Sequence, residues 1–260
     1  MMDLIVFSVG NNRYSLNIEN IQRIIQAEAL TAIPNANKVI DGMMNYEGRV
    51  IKVLNFRKLI GLPAYDKELV ELFTRLKIDH QDWMNKLEYS IENGSVFTKS
   101  VNPYKCELGI WLNNFNSYDD EVSKILKSLI TNQRYLYTFS SDLLELCKSD
   151  KQNAVELMKK DLHDVYNRMI NDLDSFIDNL ETVANSLQKL LIYEYNNIRF
   201  AIKVDSIEDI VQIDENKIME SDNSINELEL YGISDINGVL VNIIKSITIQ
   251  SKEGNYGNQL

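Results

Sequence analysis

The chain has 260 residues but only two cysteines, two histidines and three prolines, and it contains no long uninterrupted apolar run. Each scarcity excludes something. Two cysteines, Cys106 and Cys147, cannot build the disulfide framework of a small secreted domain, and free thiols suit a reducing compartment. No segment approaches the roughly 18 apolar residues of a spanning helix. The start, Met1 to Gly10, carries Asp3 where a secretory leader is basic. The expectation is a cytoplasmic protein with no direct membrane insertion. Basic residues are also short, 27 against 38 acidic for a net charge of −11, and such a chain repels phosphate backbones, so no nucleic-acid partner is expected. A Gly-rich phosphate loop and a Gly-x-Ser-x-Gly elbow are both missing, and both histidines fall in helical patterns. No enzyme is expected.

What is present is partitioned. Between positions 63 and 189 the only glycines are Gly94 and Gly109, while four lie before Pro63 and four beyond Tyr231, so turn-rich ends flank a turn-poor middle. The ends read as short strands: Leu4–Phe7, Tyr14–Ile18, Ile21–Ile25, Val39–Asn45 and Val50–Leu54 first, then Leu190–Tyr193, Ile198–Ile202, Ile207–Ile213 and Val239–Ile244. The middle reads as helices. Val155, Met158, Leu162, Val165, Met169, Leu173, Phe176, Leu180, Val183 and Leu187 recur at spacings of three and four, which predicts one helix of about nine turns with a single apolar seam. Val122 to Leu146 and Leu69 to Ile91 mark two more. The seam can face its own bundle or pair with another copy, so self-association is a possibility. The fold class is α+β, with a β domain split by an inserted antiparallel helical bundle. Boundaries are predicted at 1–62, 63–189 and 190–250, with a tail at 251–260.

The β segments resemble CheW-type chemotaxis coupling domains. The resemblance rests on Phe7-Ser8-Val9-Gly10, Leu30-Thr31-Ala32-Ile33-Pro34, Val39 to Ile51 and Leu54 to Leu62, and later on Ile198 to Ile210 and Ile233 to Ile244. It implies a pair of small five-stranded, SH3-like β-barrels. It also implies a non-catalytic adaptor between methyl-accepting chemotaxis receptors and a CheA-type histidine kinase. Carried onto this chain, the partner-binding residues are Val39, Gly42, Asn45, Glu47, Gly48, Arg49, Val53, Val204 and Asp205. Three positions depart from the family: Glu47 stands where arginine is usual, Lys52 where proline is usual and Asn55 where aspartate is common.

The middle resembles the chemoreceptor zinc-binding (CZB) domain, whose signature is His-x-x-Trp, Cys-x-Leu-Gly-x-Trp and His-x-x-Leu-His. His80-Gln81-Asp82-Trp83 and Cys106-Glu107-Leu108-Gly109-Ile110-Trp111 match the first two elements. The third survives as Gln133-Arg134-Tyr135-Leu136-Tyr137, with glutamine and tyrosine in the histidine positions. The resemblance implies His80 and Cys106 as metal ligands. A closed zinc site wants four thiolate, imidazole or carboxylate donors, and an amide and a phenol replace imidazole poorly, so no cofactor is expected and zinc remains the one candidate. Two roles then stand for these residues: a packed bundle core containing a buried tryptophan pair, or a zinc or thiol sensor that modulates signalling through the bundle.

Overall fold

The computed structural model describes residues 1–117, 119–220 and 227–249; the tail at 251–260 lies outside them. The chain divides into two compact units, one made of Met1–Tyr65 with Leu187–Leu260 and the other of Asp66–Ser186.

Among the described residues the first unit holds ten strands: β1 Met2–Val9, β2 Asn12–Asn17, β3 Ile21–Gln26, β4 Ile40–Tyr46, β5 Arg49–Asn55, β6 Lys189–Tyr195, β7 Ile198–Val204, β8 Ser206–Ile213, β9 Leu228–Ile236 and β10 Val239–Ile247. They form two five-stranded sheets ordered β8-β1-β2-β10-β9 and β3-β6-β7-β5-β4. Each sheet mixes strands from both ends of the chain, so neither end completes a sheet alone. The join in each sheet is a parallel pair, β10 on β2 and β5 on β7. All the other pairings are antiparallel, and tight turns close several of them.

Most of these strands are buried on both faces because successive side chains serve different cores. Along β1, Leu4 and Val6 pack with Val241 and Ile243, while Ile5, Phe7 and Val9 enter a cluster shared by both sheets. β6 does the same, with Leu190 and Ile192 on one side and Leu191 and Tyr193 on the other. The shared cluster contains an aromatic triad in which Phe56 meets Phe7 edge-on at 5.3 Å and Tyr14 at 4.8 Å. Phe56 begins α1, Phe56–Leu59, a short helix capped by the Asn55 side chain accepting from Lys58 N–H.

α1 also places Arg57, which is 1% exposed. Its guanidinium donates from Nε to Asp205 Oδ1 at 2.7 Å and from Nη2 to Asp205 Oδ2 at 2.7 Å. It further donates to the Pro63 carbonyl at 3.1 Å and lies 4.5 Å over the Tyr65 ring. The same carboxylate accepts from Gly10 N–H at 2.7 Å and from Gln188 Nε2 at 3.1 Å. One buried ion pair thus ties the β1–β2 turn, the residues where the chain leaves the β unit, and the residue just before β6.

The second unit contains most of α2 (Tyr65–Asn93), then α3 (Glu107–Asn114), α4 (Asp120–Ser149), α5 (Lys151–Leu157), α6 (His163–Asp178) and α7 (Leu180–Leu187). α4 starts at a cap where the Asp119 carboxylate accepts from Val122 N–H, and its acidic first turn complements the helix dipole. The chain reverses at Asp150, which closes α4 through its N–H to Leu146 and caps α5 through its carboxylate. α6 then packs along α4. The seam residues Met158, Leu162, Val165, Met169, Leu173, Phe176 and Val183 are buried within this unit.

Two expectations change. The single helix predicted over 155–187 is divided by a π turn at Met158–Leu162 and a break at Asn179. A seam that repeats every three and four residues is compatible with either backbone, so periodicity does not report the interruptions. The tryptophans are not a pair: Trp83 stacks on Tyr137 at 4.7 Å, whereas Trp111 stacks on Phe115 at 4.6 Å in a separate group with Phe73 and Phe176.

Removing one partner of the buried pair leaves a charge without compensation. Arg57→Ala is expected to lower unfolding free energy by about 3–5 kcal/mol in chemical denaturation, while the double change Arg57→Met, Asp205→Leu costs much less. Equal losses in the two variants would contradict a charge-pair origin.

Candidate functional site

Three elements of the helical unit bring five side chains to one place. His80 and Trp83 lie one turn apart on the buried face of α2, Cys106 immediately precedes α3, and Gln133 and Tyr137 share the inner face of α4. Gly109 sets the loop that delivers Cys106. A Cβ there would lie 1.8 Å from the Pro103 carbonyl oxygen and 2.9 Å from Gln133 Nε2, so only glycine lets the loop lie against α3.

The thiol is surrounded by donors. Cys106 caps α3, accepting from Gly109 N–H at 3.2 Å, and accepts from Gln133 Nε2 at 3.2 Å. As a thiol it donates to the Pro103 carbonyl at 3.3 Å. Burial alone would push the Cys106 thiol up, but hydrogen bonds with His80, Tyr137 and Gly109 N–H, together with the His80 charge, outweigh burial and bring it down to about 7. Tyr137 moves the other way: burial first, then the facing Cys106, drive its phenol far above the ordinary range. It stays protonated, with its hydroxyl 3.4 Å from His80 Nε2. A cavity of about 320 Å³ opens beside Cys106 and is lined also by His80, Trp83 and Tyr137.

The donor set can be tested against zinc. His80 donates from Nδ1 to the Leu76 carbonyl at 2.8 Å, which turns Nε2, the nitrogen a metal would take, toward Tyr137. Cys106 supplies a second good donor. Gln133 holds its amide nitrogen toward both Cys106 and the Pro103 carbonyl, at 3.2 and 3.0 Å, and nitrogen in that role is no ligand. Tyr137 keeps its proton. Two of four tetrahedral donors are present, and no group of three His, Cys, Asp or Glu that could hold a metal occurs among the described residues. These residues do not fit a closed zinc site. The remaining soft residues lie elsewhere, with Cys147 Sγ 3.6 Å from the Ile91 carbonyl and His163 paired with Glu88 at 2.9 Å.

The residues carried over as partner-binding separate into two groups. Asn45, Glu47, Gly48 and Arg49 are exposed at the β4–β5 turn, where Glu47 and Gly48 both have positive φ, 52° and 77°. Two-residue turns of that kind follow the strand twist, at a cost of about 1 kcal/mol for a residue with a Cβ. Val39, Gly42, Val53 and Val204 are buried, and Asp205 is committed to Arg57. Of these, Val39 and Val204 pack in the cluster shared by both sheets and Val53 in a smaller one. Sequence reasoning overlooked Arg23, whose Nη1 lies 3.9 Å from Glu47 Oε1. β3 and β4 are opposite edges of the sheet, so this contact shows that the sheet curls, and no local pattern announces it. Val50, 70% exposed, was also missed, although alternation from buried Ile51 and Val53 points it outward.

Comparison with known proteins bears on the first unit. The CheW-like domain family matches residues 3–77, which contain β1 to β5, α1 and the start of α2. The chemotaxis protein CheW of Thermotoga maritima is 24% identical over 66 residues, covering 25% of this chain and 43% of that protein. Its counterpart from Bacillus subtilis is 30% identical over 63 residues, covering 24% and 40%. The alignments therefore span less than half the length of these relatives. Among solved structures, the scaffolding protein TtCheW from Thermoanaerobacter tengcongensis superposes with a TM-score of 0.44 at 13% identity, covering 94% of this chain and 88% of that one. Among the described residues no helix is long and apolar enough to cross a membrane.

The thiol environment has a kinetic consequence. A group whose pKa falls to about 7 is half thiolate at neutral pH, against a few per cent for an ordinary cysteine. In a Cys147→Ser background, iodoacetamide alkylation of Cys106 should rise with pH through a midpoint near 7, and Tyr137→Phe should move that midpoint upward. A midpoint above 8.5 in the parent would contradict the arrangement.

Proposed function

We propose that the chain is a non-catalytic adaptor that couples chemotaxis receptors to a CheA-type histidine kinase through a split CheW-like unit. The observation that carries this reading is the match over residues 3–77, whose five strands are completed into two sheets by the five strands of residues 189–247. The relatives named chemotaxis protein CheW support the same role.

In this reading the partner surface is the β4–β5 turn with Asn45, Glu47, Arg49 and Val50. Its specificity resides in Glu47. Where a relative with arginine would attract a partner's acidic group, this carboxylate repels it and favours a basic one. Pull-down of receptor and kinase from the same organism by Glu47→Arg is expected to shift retention of at least one partner at least tenfold. Folding should hold, because arginine bears the same positive-φ strain and the exposed pair with Arg23 adds little stability. Unchanged retention of both partners would sink the assignment.

A second reading is that the helical unit descends from a CZB-like domain and acts as a thiol sensor. Its support is the convergence of His80, Cys106, Gln133 and Tyr137 beside an open cavity. Protein purified without chelator is expected to carry substoichiometric zinc, and mild peroxide treatment should alter kinase coupling in the parent but not in Cys106→Ser. One zinc per chain would overturn the donor count, and identical coupling of both proteins with and without peroxide would remove the sensor.

A further inference from the structure

The helical unit contains a second, larger cavity that none of these readings uses. It measures about 460 Å³ and lies between α3 and α4, within the usual range for small-molecule sites. Its floor is apolar, made by buried Leu112, Phe115 and Leu126. Its rim is basic: Lys127 and Arg134 lie two turns apart on one face of α4, and both border the cavity.

The lining includes no aspartate or glutamate, although residues 63–189 carry 21 acidic groups against 15 basic ones. The contrast with the neighbouring cavity is direct, since that one is bordered by Asp79, Asp82 and Glu107. Neither basic rim residue is neutralised. Among the described residues Lys127 has no ion pair, and Arg134 rests 5.3 Å over the Tyr104 ring with no carboxylate on its guanidinium. A third feature lies deeper. Gln133 is 2% exposed and lines the same cavity; its Nε2 is occupied by Pro103 and Cys106, while its Oε1 accepts no hydrogen bond from a described residue. That oxygen is reached by solvent, so a ligand or water in the cavity can donate to it.

We propose that this cavity binds a small amphipathic carboxylate. The carboxylate meets Lys127 and Arg134, the organic body covers Leu112, Phe115 and Leu126, and Gln133 Oε1 takes a hydrogen bond from the ligand or from a water it traps. Arginine suits this role because its planar fork can turn from an aromatic face to a carboxylate. The class excludes inorganic anions, which leave the apolar floor uncovered, and neutral isosteres, which leave both cations unpaired.

Isothermal titration of the full chain with benzoate and hexanoate, at moderate salt, tests the assignment. Saturable one-to-one binding is expected for at least one of them. The neutral isostere benzamide should bind at least tenfold more weakly than benzoate, and inorganic phosphate should not compete. Lys127→Gln and Arg134→Gln, both at exposed positions, should each weaken binding about tenfold while leaving the circular dichroism melt unchanged. Leu126→Ala probes the floor, and if it unfolds the chain the two rim variants still decide. The proposal is overturned by no saturable binding of either acid, by equal affinity for benzoate and benzamide, by phosphate binding as tightly as benzoate, or by rim variants that bind like the parent.

Discussion

The pairing of Arg57 with Asp205 is the constraint on which the β unit depends. A chain that contributes strands to the same sheets from positions 2–55 and 189–247 must fix where it leaves and where it returns. The guanidinium holds the departure through the Pro63 carbonyl and the Tyr65 ring, and the carboxylate holds the return through Gln188. Because Asp205 also binds Gly10 in the β1–β2 turn, the same two charges fix the first hairpin. Every oxygen of the carboxylate has a donor, the condition under which a buried charge is tolerated.

That arrangement explains why 121 residues can interrupt the unit, those of Asp66–Ser186. Loop-closure entropy grows only slowly with length, so a long insertion costs little more than a short one once its ends are held. The parallel pairs β10 on β2 and β5 on β7 join strands far apart in sequence. They have no turn to set their register, and the shared apolar cluster with its Phe7–Tyr14–Phe56 contacts supplies the specificity that a turn supplies elsewhere.

Legibility in the sequence follows the same division between local and distant causes. β-branched runs bounded by turn residues revealed nine strands, because local propensity and turn chemistry act within a few residues. β9 was overlooked because Glu229, Gly232 and Asp235 break its apolar pattern, and Gly232 is there to clear the Met219 carbonyl, 2.1 Å from where a Cβ would stand. Strand order was not legible. A run such as Leu4-Ile5-Val6-Phe7 says only that both faces are buried, and nothing in it says that two different cores receive them. At the thiol site, it was the resemblance to the CZB domain that grouped His80, Cys106, Gln133 and Tyr137, since no local pattern joins residues so far apart in sequence. The sequence did not show which way the Gln133 amide faces, because that depends on the Pro103 carbonyl arriving beside a glycine.

Gln133 links the two cavities of the helical unit, since it lines the larger one and hydrogen-bonds Cys106, which lines the smaller. Its nitrogen is bound to Cys106 and Pro103, the residue borders the basic-rimmed cavity, and it is almost wholly enclosed. A side chain so confined has few rotamers, so a change on one side must be met by a change on the other. If Gln133 turned toward a ligand in the larger cavity, Cys106 would lose a hydrogen bond that favours its thiolate, and occupancy and thiol ionisation would be linked with the same magnitude in both directions. An amide, with a donor and an acceptor at its two ends, can serve both sides.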